Sequence, residues 1–357
     1  MRIVSTSYSN TPEYTNPVAW LKRISFYTGI LEELAKDHEV TSIERIRYRG
    51  RLSQNGVDYR FIDLRKKTVL FPFEMHRMIR RIQPDVVLVN GFIFPLQIIQ
   101  LRLKLGLRPK IIVLHRAEKP FSGLKGKLQQ LADRCVDGYL FSSREGAGQW
   151  IRNGIISSAS KIHQVVQASS RFRPLAEKNG GDTTPRFLWV GRLEKNKDPL
   201  TVVKAFICFL QTHPDVSLFM IFQTEELLET VRQMTMSFPS IQLIGKVEHQ
   251  QLSSWYQSAD FIVSGSHYEG GGTVISEAMS CGCIPVITDI PSFRAITGYG
   301  KCGLLYEAGN ELALVEKLEE AVRMDRASER EKVLKQFGEE LSFPAIAGKI
   351  SFMIKNQ

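Results

Sequence analysis

Short apolar segments alternate with longer amphipathic segments along most of the chain. Short apolar runs favour strands, and apolar residues that recur about every three to four positions favour helices. In the first half, the predicted strands lie near residues 2–6, 39–44, 57–63, 85–90, 110–114 and 137–142. The predicted helices lie near residues 19–36, 72–83, 93–105, 122–135 and 143–154. Strands that alternate with helices in this way predict a parallel sheet with helices on both faces.

The same alternation continues in the second half after a polar interruption. The predicted strands lie near residues 187–190, 216–222, 241–245, 260–265 and 284–287. The predicted helices lie near residues 199–212, 225–236 and 249–258. The interruption, residues 178–185, is polar and contains glycine and proline, which is typical of a linker. We therefore predict an α/β protein of two doubly wound, Rossmann-like domains that face a cleft, where ligands bind at the carboxyl ends of strands.

Positive charge is concentrated in the first half of the chain. The whole chain has 47 Lys and Arg and 37 Asp and Glu, a formal net charge of +10. Residues 1–170 hold 27 of these basic residues and 14 of the acidic ones. Clusters at 45–51, 65–67 and 77–81 favour a face that meets an anionic membrane surface, a phosphorylated acceptor or nucleic acid. A solvated basic surface without a partner is the alternative.

The chain gives no sign of a targeting or membrane-spanning segment. Residues 1–6 have no charged stretch that is followed by a long apolar one, so we expect no signal peptide. The longest apolar stretch, 86–99, is interrupted by Asn90, Gly91 and Pro95, and it is too short to span a bilayer. We therefore expect a cytoplasmic protein, with peripheral association at the inner face of the membrane as a further expectation from its basic first half.

A run of glycines between two glutamates carries the first chemical signal. Glu269 precedes three glycines, and Glu277 follows them in an E-x7-E arrangement. The run lies between two apolar segments that predict strands. Glycines let a backbone approach a ligand closely, and a helix that begins near Thr273 would direct its free N–H groups at the glycine loop. This arrangement predicts an anion site with a carboxylate, Glu277, about one turn inside the helix.

A second signal follows the strand at 187–190. Gly191 ends this strand, and Arg192 and Lys197 lie on the loop before the next predicted helix. Two fixed cations at a strand end suit a diphosphate, above all one that gains charge as a bond breaks. Taken alone, one arginine and one lysine in a loop are more often surface charges.

Residues Gly191 to Glu307 resemble the nucleotide-sugar-binding domain of the family 4 retaining glycosyltransferases, which have the GT-B fold. The matching pieces are Gly191-Arg192-Leu193 with Lys197, Ser258-Ala259-Asp260-Phe261, the E-x7-E motif, Gly282 with Pro285-Val286, and Gly303-Leu304-Leu305. The first half matches more loosely, through the strand start 1–4, the strand-end His115 and residues 140–143. The resemblance implies an acceptor-side domain at 1–175, a nucleotide-sugar-binding domain at 186–336, and a last helix, 337–357, that crosses back to the first domain. The helical pattern of this last segment is interrupted at Pro344.

The resemblance also implies roles for individual residues. Arg192 and Lys197 would bind the diphosphate and stabilise it as the leaving group, Glu277 would hold the ribose hydroxyls, and Glu269 would contact the transferred sugar. The donor loop would add Gly191, Gly271, Gly272, Thr273 and Val274. His115 would approach the sugar from the first domain, with a satisfied strand-end histidine as the alternative. The implied reaction is the transfer of a sugar, with retention, from a nucleoside-diphosphate sugar to a glycan or lipid-linked acceptor.

The chain departs from the family pattern in two places. The loop after the first strand, residues 7–17, has no glycine, although many members carry a Gly-Gly pair there. Gly271 replaces the usual phenylalanine of the E-G-F-G pattern. The chain also has no Asp-x-Asp motif, so we expect no metal and no cofactor, and Arg192 and Lys197 would neutralise the charge instead.

Two other functions remain open at this point. A sugar-nucleotide epimerase would share the two-domain architecture and would need acid and base residues that the sequence does not identify. A non-catalytic binding protein for nucleotide-sugars or nucleic acid would be expected to lack some of the Arg, Lys and Glu positions, and all four are present. Few aromatic residues lie among the basic clusters, so we expect no nucleic-acid partner. The donor sugar, the base, the acceptor and the linkage are not specified by the sequence.

Overall fold

In the computed structural model, the described residues, 1–63, 69–175 and 184–356, form two compact units. The predicted linker lies mostly outside these residues, and the basic cluster 65–67 lies wholly outside them. Unit 1 comprises residues 1–167 with 343–357, and unit 2 comprises residues 168–342.

The sheet of unit 1 has the strand order β3-β4-β2-β1-β5-β6-β7-β8. Its strands are β1 (Arg2–Ser7), β2 (Glu39–Glu44), β3 (Gly50–Gln54), β4 (Val57–Phe61), β5 (Val86–Asn90), β6 (Lys110–Leu114), β7 (Gly138–Phe141) and β8 (Ile162–Gln164). All neighbours are parallel except β3 and β4. Helices α1 to α6 are Pro17–Arg23, Ser25–Leu34, Phe73–Ile82, Pro95–Leu105, Gly123–Asp133 and Gly148–Arg152. Side chains from the two faces of the sheet form two apolar clusters, as expected when helices cover both faces.

The sheet of unit 2 is parallel throughout, with the order β11-β10-β9-β12-β13-β14. Its strands are β9 (Arg186–Gly191), β10 (Ser217–Phe222), β11 (Ile241–Gly245), β12 (Phe261–Ser264), β13 (Ile284–Thr288) and β14 (Leu304–Tyr306). Helices α7 to α13 are Pro199–Phe209, Leu228–Thr235, Leu252–Ser258, Thr273–Ser280, Pro291–Ile296, Glu311–Arg323 and Arg326–Gln336. The predicted α/β class with two doubly wound units is confirmed.

The chain passes from unit 1 to unit 2 after residue 167 and returns to unit 1 after residue 342. The prediction ended the first domain at residue 175, whereas Ala168 and the residues after it belong to unit 2. The reason is visible at Phe172, whose ring packs against His249 and Tyr256 of that unit. The predicted 337–357 segment also divides, because residues 337–341 form a π-helical turn of unit 2 and α14 (Phe343–Asn356) packs on α2 of unit 1. The acceptor-side and donor-binding roles of these units stay predictions.

Some predicted elements differ from those in the structure. The helix predicted at 143–154 is reduced to a 3-10 turn, Glu145–Ala147, followed by the short α6. Pro344 does not interrupt a helix: the break lies before it at Ser342, and the proline occupies the first turn of α14, where its missing N–H removes no helical hydrogen bond. No helix in the described part of the chain is both long and apolar enough to cross a bilayer.

Candidate functional site

Two loops at the carboxyl edge of the sheet of unit 2 lie against each other. One follows β9 and ends in a 3-10 turn, Lys195–Lys197, and the other joins β12 to α10. Gly265 opens the second loop, and a Cβ there would lie only 2.8 Å from the backbone oxygen of Asp198. The amide of His267 donates to the oxygen of Asn196, and the Asn196 side chain donates to the oxygen of Tyr268. The fold therefore joins two segments that the sequence analysis singled out separately.

Lys197 and Glu269 form an ion pair where these loops meet. Each side chain has 17% of its surface exposed, so the pair is largely shielded from water. Ser266 donates a second hydrogen bond, of 2.8 Å, to the carboxylate of Glu269. The ammonium and the carboxylate are thus held in defined positions beside the glycine run. An ammonium fixed in this way can stabilise developing negative charge more effectively than a mobile one in water.

The N-terminus of α10 supplies a second positive element at the same loop. Gly272 precedes the helix with a φ of 59°, in the left-handed region that favours glycine, and a Cβ there would lie 2.6 Å from Ile296. Across the described ranges, no side chain caps the first-turn amides of this helix. Thr273 and Val274 lie in this turn and are half-buried. Uncapped amides together with the helix dipole favour an anion here.

Gly271, Gly191 and Arg192 have different surroundings from Lys197. An added Cβ at Gly271 would lie 3.2 Å from Ala168, and an added Cβ at Gly191 would lie 3.0 Å from the Trp189 ring. Arg192 leaves 57% of its side chain exposed and pairs with Glu194 at 2.9 Å. Among the described residues, Arg192 forms its ion pair with Glu194. The structure therefore brings Lys197 and Glu269 together but does not bring Arg192 to them.

Glu277 is buried inside α10, and both of its carboxylate oxygens are engaged. Oε1 lies 2.7 Å from Nε2 of His249, and Oε2 accepts a hydrogen bond of 3.2 Å from the hydroxyl of Tyr256. Tyr256 is fully buried, and burial together with the charge of Glu277 raises its pKa well above the ordinary value, so it remains a donor. Since an ionised carboxylate offers about four lone-pair positions, Glu277 retains acceptor capacity for further hydroxyl groups.

Sequence reasoning missed His249 and Tyr256. Both precede the helix that carries Glu277 and come from a different part of the chain, the segment after β11. No local pattern indicates that a histidine on a 3-10 turn and a tyrosine of α9 converge on one carboxylate. The alternation of apolar and amphipathic segments predicted the order of α9 and β12 along the chain, but it did not predict these side-chain contacts.

His115 lies in unit 1, directly after β6, where a network holds its ring. Its Nε2 lies 2.9 Å from the backbone oxygen of Glu118, and its ring stacks on Phe141 with 4.3 Å between the centroids. Burial lowers the pKa of His115, and the nearby Glu118 acts in the opposite direction. His115 therefore has the contacts expected of a strand-end histidine whose hydrogen bonds are satisfied, which was the alternative stated above. A role toward a sugar stays a prediction. No pattern in the sequence indicated Glu118.

Within the described residues, no group of three or more His, Cys, Asp and Glu side chains is arranged to hold a metal ion. Glu269 and Glu277 are instead occupied by a lysine, a histidine, a serine and a tyrosine. The metal requirement of the reaction stays a prediction, to be tested in solution.

Comparison with known proteins supports the resemblance in unit 2. The family described as "Glycosyl transferases group 1" matches residues 173–340, a range that includes both loops and Glu277. A GDP-mannose:cellobiosyl-diphosphopolyprenol alpha-mannosyltransferase from Xanthomonas oryzae is 31% identical over 155 residues, which is 39% of this chain and 40% of the relative. A D-inositol 3-phosphate glycosyltransferase from Pseudarthrobacter chlorophenolicus is 30% identical over 145 residues, 38% of this chain and 34% of the relative.

A solved structure extends the likeness in fold to the whole chain. The Anabaena protein HepE, determined in complex with UDP, superposes with a TM-score of 0.77 over 100% of both chains, at 13% sequence identity. That identity shows a shared fold only. The chain spans 34% to 40% of the length of the two curated relatives named above. Residues 173–340, which lie within unit 2, are therefore similar to the glycosyl transferases group 1 family, and the likeness over the whole chain is one of fold.

Proposed function

We propose that the protein is a retaining glycosyltransferase that moves a sugar from a nucleoside-diphosphate sugar to a glycan or lipid-linked acceptor without a metal ion. The observation that carries this proposal is the ion pair of Lys197 and Glu269, because Glu269 lies on the loop that leads into the uncapped N-terminus of α10. A fixed cation and free amides beside one glycine loop suit a diphosphate. Retention is carried by the family resemblance alone.

The contacts in unit 2 support a division of roles along the donor. The amides of Gly272, Thr273 and Val274 would bind the diphosphate together with Gly191 and Gly271, whose missing side chains leave the backbone accessible. Lys197 and Arg192 would neutralise the negative charge that develops on the diphosphate as the sugar leaves. This assignment needs Arg192 to turn from Glu194 toward the diphosphate, which its exposed side chain allows.

Two carboxylates would bind the ends of the donor. Glu277 would accept hydrogen bonds from the ribose hydroxyls with the lone pairs that His249 and Tyr256 leave available. Glu269, held by Lys197 and Ser266, would contact the transferred sugar. His115 remains a proposed sugar contact that rests on the resemblance. No general base is assigned, because the family's retaining step is described as front-face attack within an ion pair.

The acceptor and the location are part of the same proposal. The names of the two curated relatives describe acceptors that carry phosphate, one of them on a polyprenol, which favours an anionic and lipid-linked acceptor here. The basic first half of the chain supports association with an anionic membrane surface, where such acceptors reside. We propose a cytoplasmic protein that associates peripherally with the inner face of the membrane.

The test is a survey of nucleotide-sugars with and without acceptors. Transfer of label from a nucleoside-diphosphate sugar to a glycan or polyprenyl-diphosphate acceptor, undiminished in excess chelator, is expected. A strict need for added metal would contradict the assignment of charge neutralisation to Lys197 and Arg192. An epimeric sugar formed from donor alone, with no acceptor product, would show that the chemistry is that of an epimerase.

A further inference from the structure

The sheet of unit 1 has a topological switch point between β1 and β5. From β1 the chain proceeds to β2 on one side, and β5 then adds on the other side. The last residues of the two strands, Ser7 and Asn90, are register partners at the carboxyl edge. In open parallel sheets, ligands bind in the crevice at such a point. The proposed donor-site residues belong to unit 2, with the exception of His115, which directly follows the neighbouring strand β6.

A polar cluster made of neutral groups occupies this switch point. The Asn90 amide nitrogen donates to the Tyr27 hydroxyl at 3.0 Å and to the Thr6 backbone oxygen at 3.2 Å. The Tyr27 hydroxyl is also 2.6 Å from the Ser5 hydroxyl. These contacts fix the orientation of the Asn90 side chain, so that its oxygen points away from β1 toward the residue that follows His115.

Arg116 is that residue, and its guanidinium is clamped by neutral partners. Nε and Nη2 donate to the Asn90 side-chain oxygen at 3.1 and 2.5 Å, and the guanidinium carbon lies 4.7 Å from the centre of the Tyr27 ring. Arg116 is half-buried. Two of its nitrogens are thus fixed in direction, and the plane of the group is fixed by the aromatic ring. A guanidinium held in this way is pre-organised for an anion.

The charge of Arg116 is not cancelled by a direct ion pair. Glu118, the carboxylate that acts on the pKa of Arg116, accepts from the backbone amides of Phe92 at 3.0 Å and of Arg116 itself at 2.6 Å. No ion pair among the described residues includes the guanidinium of Arg116. Burial lowers the pKa of Arg116, while Tyr27 and Glu118 act in the opposite direction. A partly desolvated cation without a bonded carboxylate is stabilised by any anion that reaches it.

The Nη1 nitrogen is the free end of this group. In the part of the chain that the structure describes, Nη1 donates to no protein acceptor, and it is not among the polar atoms that are buried without a partner. It is therefore not fully enclosed by protein. The edge formed by Nη1 and the second hydrogen of Nη2 presents two parallel N–H donors, which is the geometry that phosphate oxygens accept.

We propose that Arg116, held by Asn90 and Tyr27 at the switch point of unit 1, binds a phosphoryl group of the acceptor. The inference rests on the proposed transferase function only in naming that ligand as the acceptor. The phosphoryl group belongs either to a soluble phosphorylated sugar or polyol or to a phosphorylated lipid. Both present the same oxygens to the guanidinium.

The test is calorimetric titration of the full chain with inorganic phosphate while a saturating nucleoside diphosphate fills unit 2. The wild-type chain should bind phosphate, and Arg116→Gln should weaken this binding about tenfold or more, because a charge-assisted bidentate contact is lost. Arg116→Lys, which keeps the charge but loses the fork, should fall between the two. Arg134→Gln removes an exposed charge at the C-terminus of α5 in the same unit and should bind phosphate as the wild type does.

The unfolding temperature of each variant, measured in the absence of ligand, is the control for a purely structural effect. Such an effect would change stability but leave phosphate affinity unchanged. Equal phosphate affinity of the wild type and Arg116→Gln would overturn the proposal. Competition by glycerol 3-phosphate identifies a soluble source, and competition by a short-chain polyprenyl phosphate, but not by the unphosphorylated prenol, identifies a lipid. Competition by neither would also overturn it. Failure of the nucleoside diphosphate to bind would contradict the proposed function instead, and the phosphate titration is read independently of it.

Discussion

Lys197 and Arg192 are proposed to do the same electrostatic task from different surroundings. The side chain of Lys197 is 17% exposed and ion-paired, whereas that of Arg192 is 57% exposed. We predict that Lys197→Ala and Arg192→Ala each reduce turnover more than tenfold, because removal of a group that stabilises transition-state charge costs about 10²-fold or more. Initial rates with a nucleotide-sugar donor measure this. Lys195→Ala, at an exposed neighbouring position, is the matched control.

Folding of these variants is checked by their unfolding temperatures. Loss of Lys197 leaves the carboxylate of Glu269 with the Ser266 hydroxyl and with access to water, so the variant should remain folded. Rates unchanged in both Lys197→Ala and Arg192→Ala would remove the diphosphate assignment.

Glu277 offers a separate test at the ribose end of the donor. Glu277→Gln keeps the shape of the side chain and an oxygen that accepts from His249 or Tyr256, but it removes the negative charge. We predict that the dissociation constant for a nucleoside diphosphate rises about tenfold, since hydrogen bonds to a charged group are the stronger ones. The 2′,3′-dideoxy analogue should bind both forms equally. An equal loss for both ligands would mean that Glu277 does not hold the ribose. Glu319→Gln, on α12, is the control.

At the scale of elements, the start of α10 depends on a glycine. Gly272 has a φ of 59°, and an added Cβ would meet Ile296 at 2.6 Å. We predict that Gly272→Ala destabilises the protein by about 2 kcal/mol, the typical strain of a non-glycine residue in this region, and weakens nucleotide binding. Urea unfolding and calorimetry measure the two effects.

The control is Gly348→Ala within α14. This glycine is exposed, and no atom lies within 4 Å of its added Cβ. Alanine should stabilise the helix there by about 0.5–1 kcal/mol. If Gly272→Ala were neutral or stabilising, the special geometry assigned to this helix start would be wrong.

The sequence predicts elements well where an apolar run is long or its period is clear. The central strand β5 and the start of α10 at Thr273 lie where the pattern placed them. β4 was predicted, but β3 and the hairpin that joins the two were missed, although the turn is Asn55-Gly56, both at positive φ and typical of a two-residue turn. β3 is an exposed, polar edge strand without apolar alternation. β8 is only three residues long and was also missed.

The candidate site was predictable only in part, because local patterns indicate elements but not contacts between distant segments. Local patterns predict the strand–loop–helix order of the segments that contain Arg192, Lys197, Glu269, Gly272 and Glu277. The pairing of Lys197 with Glu269 depends on how two strands neighbour each other in the sheet, because β9 and β12 are adjacent but distant in sequence. His249 and Tyr256 contact Glu277 from positions 28 and 21 residues away in the sequence, and such contacts leave no periodic pattern. Glu118 contributes through contacts with His115, Arg116 and Phe92 from a loop that has no apolar period.

At the scale of the whole molecule, unit 1 should be sensitive to acid. Its histidines His38, His76, His115 and His163 all have pKa values lowered chiefly by burial, and that of His76 falls to about 4. The unfolded chain takes up these protons near the ordinary value of 6.5, while the folded chain takes them up only at lower pH. Between the two values the unfolded state binds more protons, so stability decreases as the pH falls below about 6.5.

Urea unfolding at pH 7 and pH 4.5 measures this dependence for the wild type and for His76→Gln. Glutamine retains a donor for the Tyr8 hydroxyl, which lies 2.9 Å from Nε2 of His76. The variant should lose less stability between the two pH values than the wild type. An equal loss in both proteins would show that His76 is not held neutral in the folded state.

The central claim is that unit 2 binds a nucleoside-diphosphate sugar through Lys197, the α10 N-terminus and Glu277. The most direct measurement is thermal unfolding of the wild type and of Lys197→Ala across a panel of nucleotide-sugars. At one hundred times its dissociation constant, a ligand should stabilise the wild type by about 2.7 kcal/mol. We predict that at least one nucleotide-sugar raises the wild-type unfolding temperature and has a much smaller effect on the variant. No stabilisation by any nucleotide-sugar, or equal stabilisation of both proteins, would contradict the account.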